Sequence, residues 1–446
     1  MTLREQAAQG QITDAMSVVA AKEEVLPADI RQGLADGTLV IPANNQHTWI
    51  DPIGIGQGLF TKVNANIGTS DVSYDLDTEL EKLRVALDYG ATTTMDLSTW
   101  GDLDSIRDTL VRASPAPMGS VPIYQAAKEA AELGRGIIHL EPEQMFDAVE
   151  RHAASGIDYV TVHCGVTRQG VDRLNRYGRI TDMVSRGGTM MAVWMLANNR
   201  ENPFYEHFDR LLDIAKRYDL TLSLGDGLRP GSIADATDIA QLTELLALGE
   251  LVEACREAGV QAMVEGPGHV PLNEIEANVL LEKKICRGAP FYILGMLTCD
   301  IGAGHDHITG AIGGAVAAAA GADMLCYVTP SEHLGLPGPD EVREGLIAFR
   351  IAAHSGDIVK LGKKAQRRDD AMSEARRALD WEGQFAQALD PVGARALFEP
   401  SLGEGDTACA MCGDLCVFKL QSEILNDRGE PVFPVLGKQK TRLPIL

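Results

Sequence analysis

Between about residue 90 and residue 355, short apolar runs of strand length alternate with longer segments whose apolar residues recur at helical period. The candidate strands are Thr93–Leu97, Val121–Tyr124, Tyr159–His163, Met190–Trp194, Thr221–Leu224, Ala262–Glu265, Phe291–Leu294 and Met324–Val328. Between them lie the helical segments Ser105–Ala113, Glu143–Ala154, Phe204–Tyr218, Asp238–Ala258, Leu272–Lys284 and Pro339–Ala353. Such alternation predicts an α/β fold of the (β/α)8 TIM-barrel type; a doubly wound open sheet is the other arrangement it allows. Asp96, Tyr124, His163, Asp226 with Arg229, Glu265 with His269, and His333 all fall at or just after a strand end. Barrel active sites are assembled at the carboxyl ends of strands, so this placement favours the barrel.

The flanks differ in composition. Residues 1–90 read as an N-terminal leader region, with a short Ala/Glu-rich helix, a strand-like Thr38–Pro42 and a Gly-rich turn at Pro52–Gly58. Residues 91–357 form the expected barrel, and 358–446 a helical arm and tail, with charged helices at Lys363–Leu379 and Trp381–Leu389 and a turn-rich Gly403–Asp406. Lys and Arg number 40 against 63 Asp and Glu, a net charge of −23. So acidic a surface repels nucleic acid and anionic lipid, and an anionic substrate would need a local basic pocket. The N-terminus lacks a signal-peptide apolar core, and no apolar run reaches the roughly 18 residues of a membrane span, so a soluble, cytoplasmic protein is expected. Eight cysteines, five of them scattered singly, do not make a disulfide framework.

The other three cysteines are clustered. Cys409-Ala-Met-Cys412-Gly-Asp-Leu-Cys416 places them within eight residues on a loop loosened by Gly413. A zinc site would want a fourth ligand close by, and no Cys or His follows Cys416. A [4Fe–4S] cluster usually takes four thiolates; three would leave one iron open, as chelation by S-adenosylmethionine (SAM) requires. A zinc knuckle completed from elsewhere, or simple reactive thiols, are the other readings. Of the scattered cysteines, Cys164, Cys255, Cys286 and Cys326 read as small buried hydrophobes, whereas Cys299 sits in a polar loop beside Asp300.

Glu265-Gly-Pro-Gly-His269 and Glu332-His333 follow the sixth and eighth candidate strands. His269 and His333 on one rim could converge on a divalent metal, zinc or iron, with Glu265 or water completing the shell. Two loops could hold a phosphate: Ser185-Arg186-Gly187-Gly188 and Asp226-Gly227-Leu228-Arg229-Pro230.

Together with these, Lys62-Val-Asn-Ala-Asn-Ile-Gly, Thr94-Met-Asp-Leu-Ser-Thr, Val121-Pro-Ile-Tyr-Gln, Cys326-Tyr-Val-Thr-Pro-Ser-Glu-His-Leu-Gly-Leu-Pro and the cysteine triplet resemble, in order, the phosphomethylpyrimidine synthase family of radical SAM enzymes. The resemblance implies a barrel acting on 5-aminoimidazole ribotide (AIR), a homodimer in which one subunit's arm serves its partner's barrel, and an electron donor such as flavodoxin or ferredoxin. It implies that Asn66, Met95, Tyr124, His163, Ser185, Arg186, Gly187, Asp226, Gly227, Leu228, Arg229, Glu265 and Tyr292 line the substrate pocket. His269 and His333 would hold the metal, and Cys409, Cys412 and Cys416 the cluster. Glu265 and Asp226 would be catalytic, with Cys299 and His305 shaping the outcome.

The chain departs from the family at Met296-Leu-Thr-Cys299-Asp-Ile-Gly-Ala-Gly-His305-Asp-His307, where the thiamin enzymes carry two prolines and a tyrosine, and at Trp100, where Gly is usual. The last cysteine gap is three residues where many members have four. These departures leave the cluster, metal and phosphate motifs intact while changing rim loops. The pattern resembles the 5-hydroxybenzimidazole synthases, which convert AIR to the lower ligand of cobamides. That is the product expected here, with the thiamin pyrimidine phosphate as the alternative and a structural zinc or redox protein as a further one.

Overall fold

A computed structural model describes residues 1–72, 74–399, 409 and 411–421; the Gly403–Asp406 stretch lies outside them. Eight parallel strands close into a barrel: β1 (Lys62–Ile67), β2 (Thr93–Asp96), β3 (Met118–Ser120), β4 (Tyr159–Val162), β5 (Thr221–Leu224), β6 (Ala262–Gly266), β7 (Phe291–Leu294) and β8 (Met324–Cys326). Closure is made where β8 pairs with β1, Met324 opposite Lys62 and Cys326 opposite Asn64. Helices α1 (Leu76–Asp88), α2 (Leu103–Ala113), α3 (Pro122–Glu132), α4 (Pro142–Ala154), α5 (Arg168–Tyr177), α6 (Arg186–Asn198), α7 (Phe208–Tyr218), α8 (Ile239–Ala258), α9 (Ile275–Ile285), α10 (Asp306–Ala320) and α11 (Pro339–Leu361) intervene between the strands or follow them. Residues 1–362 form one compact unit and 363–446 a second, whose described helices are α12 (Lys363–Ala378), α13 (Trp381–Gln387) and α14 (Pro391–Phe398).

The strand count expected from sequence holds, but two members change. Met190–Trp194 is not a strand; it lies inside α6. A short apolar run does not by itself distinguish strand from buried helix. Here the run continues through Met, Ala and Leu, good helix formers, and Ser185 caps its start by accepting from Gly188 N at 3.2 Å. Val121–Tyr124 likewise opens α3, because Pro122 cannot donate to a ladder but suits the first helical turn. The strand of this region is Met118–Ser120, just upstream.

The strand absent from the sequence reading is β1, which lies within the segment 1–90 read as a leader; α11 also runs across the 357/358 boundary. Lys-Val-Asn-Ala-Asn-Ile hides its strand character because its second face is polar, and that polarity is used. Asn64 Oδ1 accepts from Tyr159 Oη and Thr93 Oγ1, and Asn64 Nδ2 donates to Tyr292 Oη, each at 2.8 Å. This buried hydrogen-bonded layer joins β1, β2, β4 and β7 across the barrel interior and floors the cavity above it.

At the opposite end of the barrel, Asp158 precedes β4 and is fully buried. Its carboxylate accepts from Asn44 N (3.0 Å) and Met118 N (2.8 Å) and pairs with His47 Nδ1 at 2.8 Å. Replacing it by alanine strands two buried donors and an imidazole. We expect Asp158→Ala to lose about 3–5 kcal/mol of stability, measurable by chemical denaturation. No helix among the described residues is long and apolar enough to cross a membrane.

Candidate active site

The carboxyl ends of the strands surround a cavity with about 490 Å³ of empty space, counted out to its open mouth, within the range of small-molecule sites. Eight of the residues expected to bind substrate line it: Asn66, Met95, Tyr124, His163, Asp226, Arg229, Glu265 and Tyr292.

Two carboxyls and a guanidinium set its electrostatics. Glu265 Oε1 accepts from Thr161 Oγ1 and Ser223 Oγ, both at 2.6 Å, which fixes the side chain at the head of β6. Asp226 Oδ1 accepts from Arg229 Nη1 at 3.1 Å, while its buried Oδ2 has no partner. Burial pushes both carboxyls above the ordinary range; the charge of Glu265 adds to the effect at Asp226, and Arg229 opposes it at both. Burial, aided by the nearby Arg229 charge, holds the His163 imidazole down to about 3, so it is neutral near pH 7. Its Nδ1 is buried and unpartnered. Unmet polar atoms of this kind in a cavity mark places where a ligand completes the bonding.

The two proposed phosphate loops lean on each other. A Cβ added to Gly188 would lie 2.4 Å from Gly227 Cα, and one on Gly187 would lie 2.2 Å from the His163 ring. Bare backbone at both positions lets the start of α6 approach the Asp226–Arg229 loop. Arg186 stands over the Tyr124 ring at 5.1 Å. Ser185, Arg186, Gly187, Gly227 and Leu228 thus border the site rather than line the cavity. We expect Gly188→Ala to destabilise the unit by about 1–3 kcal/mol and to weaken anionic ligand binding by shifting Arg229. Melting temperature and ligand titration read the two effects.

Three residues expected near the chemistry are not among the cavity-lining residues. Cys299 and His305 sit on the loop after β7, with His305 at the start of α10 and its ring 6.3 Å from His307. Trp100 is half exposed and borders a separate acidic surface pocket with Asp102, Asp104 and Glu132. Conversely, Thr161, Ser223 and Cys326 belong to the site, and the sequence reading does not single them out. Strand alternation carries a signal for Thr161, which shares a face with His163. Cys326, read as a small hydrophobe, lines the cavity and accepts from Asn66 Nδ2 at 3.1 Å; burial pushes its thiol up to about 11.

His269 and His333 do converge, with ring centroids 5.4 Å apart. Each is held through Nδ1 by a carboxylate, Asp300 at 2.9 Å and Asp306 at 3.2 Å, the arrangement that orients metal-binding imidazoles. Glu265 does not complete the set, being engaged by Thr161 and Ser223. Among the described residues no group of three or more His, Cys, Asp or Glu side chains is gathered as a metal site, so the expected rim metal has two fitting ligands and no third. In the second unit Cys409, Cys412 and Cys416 carry free thiols on a tightly curled loop: Gly413 N donates to Cys409 O, Leu415 N to Cys412 O, and Cys416 N to Gly413 O. That curl and the free thiols suit a cluster, although the three are not drawn together as a metal site.

Fold and site together define a closed (β/α)8 barrel with a charged cavity at the carboxyl ends of its strands. The model of the radical SAM ThiC family matches residues 2–423, and the chain belongs to that family. The chain is 56% identical to the phosphomethylpyrimidine synthase of Moorella thermoacetica, over 96% of this chain and 100% of that one. It is 54% identical to that of Thermus thermophilus, over 98% and 100%. Among solved structures, a dihydropteroate synthase of Coxiella burnetii in complex with pteroic acid aligns at a TM-score of 0.38 and 13% identity, over 67% of this chain and 94% of that one.

Proposed function

We propose that the chain is a phosphomethylpyrimidine synthase, converting AIR to the hydroxymethylpyrimidine phosphate of thiamin biosynthesis. The observation that carries this reading is the full-length identity to enzymes of that name, with the cavity's charged residues in place. The 5-hydroxybenzimidazole reading preferred from sequence is not supported. It rested on Cys299, His305 and Trp100, which are not among the residues that line the cavity, and the relatives named above bear the other name.

Cys409, Cys412 and Cys416 would hold the [4Fe–4S] cluster of this family, which with SAM and an electron donor such as flavodoxin or ferredoxin would supply radical chemistry. The barrel residues do the rest. Arg229, and Arg186 with the backbone N–H groups opening α6, would bind the ribotide phosphate in an otherwise acidic protein. Neutral His163 and the Asn66 amide would orient the ribose and base through their free donors and acceptors. Glu265 and Asp226, whose carboxyls burial pushes up, would exchange protons with the rearranging sugar. Met95, Leu97, Val121, Ile293 and Leu294 give the cavity an apolar wall that excludes water from reactive carbon. A homodimer, and a metal on His269 and His333, complete the proposal.

Anaerobic incubation with AIR, SAM and a reductant, followed by mass spectrometry, tests it. The pyrimidine phosphate is expected; 5-hydroxybenzimidazole in its place would overturn the reading.

A further inference from the structure

Behind the barrel wall lies a second cavity, between the loop after β5, β6 and the start of β7 on one side and α8 and α9 on the other. Asp226, Arg229, Glu265 and Gly266 line both it and the active-site cavity, so the two are separated only by these residues. Its far wall is unusual for a hydrophobic interlayer: it carries Glu244, Gln241, Asn278 and Glu282, all buried. Glu244 Oε2 accepts from Leu228 N at 2.7 Å, but its Oε1 is unpartnered. Neither carboxyl oxygen of the fully buried Glu282 has a hydrogen-bond partner. Buried carboxyl oxygens left unmet beside a cavity are expensive unless protonated and wetted. The cavity has room for a water molecule.

We propose that Glu282 is a proton-relay residue, holding a neutral carboxylic acid that resets the active-site carboxyls through water in this second cavity, with Glu244 as its companion. The proposal rests on the reading of the site given above. When Asp226 or Glu265 has yielded a proton to substrate, an O–H bond breaks at Glu282, a proton crosses the water, and an O–H bond forms at the empty carboxylate. No electrons move. The resulting Glu282 anion lies beside the Lys283 ammonium, whose Nζ is 3.8 Å from Oε2 and whose side chain is 22% exposed, so solvent can return the proton there.

The groups facing Glu282 are Lys283 of α9, the weakly donating thiol of Cys286 at that helix's C-terminal cap, Asp323 before β8 and Arg256 of α8. Lys283 is already bound by Asp323 at 2.5 Å and by Ala289 O at 2.7 Å, so Glu282, at 3.8 Å, shares this cation with Asp323. Burial, the largest influence, pushes its carboxyl up to about 8. Such a relay on the outer side of the barrel would allow proton exchange while the mouth is closed against water, which a radical reaction needs.

The test uses the full-length, cluster-loaded enzyme and the variants Glu282→Gln and Glu282→Asp. Infrared difference spectra at neutral pH should show a deuterium-sensitive neutral-carboxyl band in wild type that Glu282→Gln lacks; no such band in wild type overturns the proposal. In turnover, Glu282→Gln should lower kcat by at least about tenfold at unchanged KM for AIR and alter the pH profile, and Glu282→Asp should recover most of the rate. An unchanged kcat per folded molecule would also overturn it. If wild type turns over no AIR, the functional reading fails instead, and the infrared result alone decides the relay.

Discussion

Replacing Cys412 by alanine is expected to abolish SAM cleavage while leaving the barrel as stable as before. The triplet offers three thiolates where four are usual for such a cluster, so no spare ligand exists to take over. Loss of one leaves two, which cannot hold a cuboidal cluster against solvent and oxygen. Cys412 is exposed and belongs to the 363–446 unit, so the melting of residues 1–362 should not respond. Iron content, the brown absorbance and 5′-deoxyadenosine release should fall to background together under anaerobic conditions. Release that persists in the alanine variant would remove the cluster assignment and bring back the zinc-knuckle reading.

The second large effect is at Glu265. Glutamine there keeps an oxygen to accept from Thr161 and Ser223, and so keeps the side chain in place. It cannot gain or lose a proton at the other terminus. We expect Glu265→Gln to lower kcat by about 10²–10⁴-fold while AIR affinity changes only a few-fold, the split expected of proton transfer rather than binding. Burial raises this carboxyl, so its neutral form persists above the usual carboxylate range and is lost as pH rises through the raised value. The corresponding limb of the wild-type profile should therefore lie above the ordinary glutamate region and vanish in the variant. Affinity lost along with rate would make Glu265 a binding group instead.

Much of this architecture could be read from residue patterns because β2, β4, β5, β6, β7 and β8 are short, rich in β-branched or apolar residues and separated by segments of helical period. The misreadings have one cause each. β1 spends its alternate positions on Asn64 and Asn66, which serve the barrel interior, so its hydrophobic signal is halved. The Met190–Trp194 run is apolar because α6 is buried against the core, and burial alone does not reveal period. Rim residues were legible wherever an ionisable or glycine-rich motif announced them, as at Asp226–Arg229. Thr161, Ser223 and Cys326 were not, since small side chains look like ordinary strand residues until neighbours are placed against them. Departures from the family at Cys299, His305 and Trp100 suggested a changed product, yet sequence position after a strand does not say how far a loop stands from the cavity.

The contact between Gly188 and Gly227 constrains how a barrel of this kind can diverge. Two loops that touch through naked backbone form a joint with no room for a side chain at either glycine, so the two segments are bound to change together. Side chains that face the cavity singly, such as Asn66, Met95, Tyr124 and Tyr292, carry no such constraint. A lineage seeking new chemistry would keep this joint and exchange the cavity's walls.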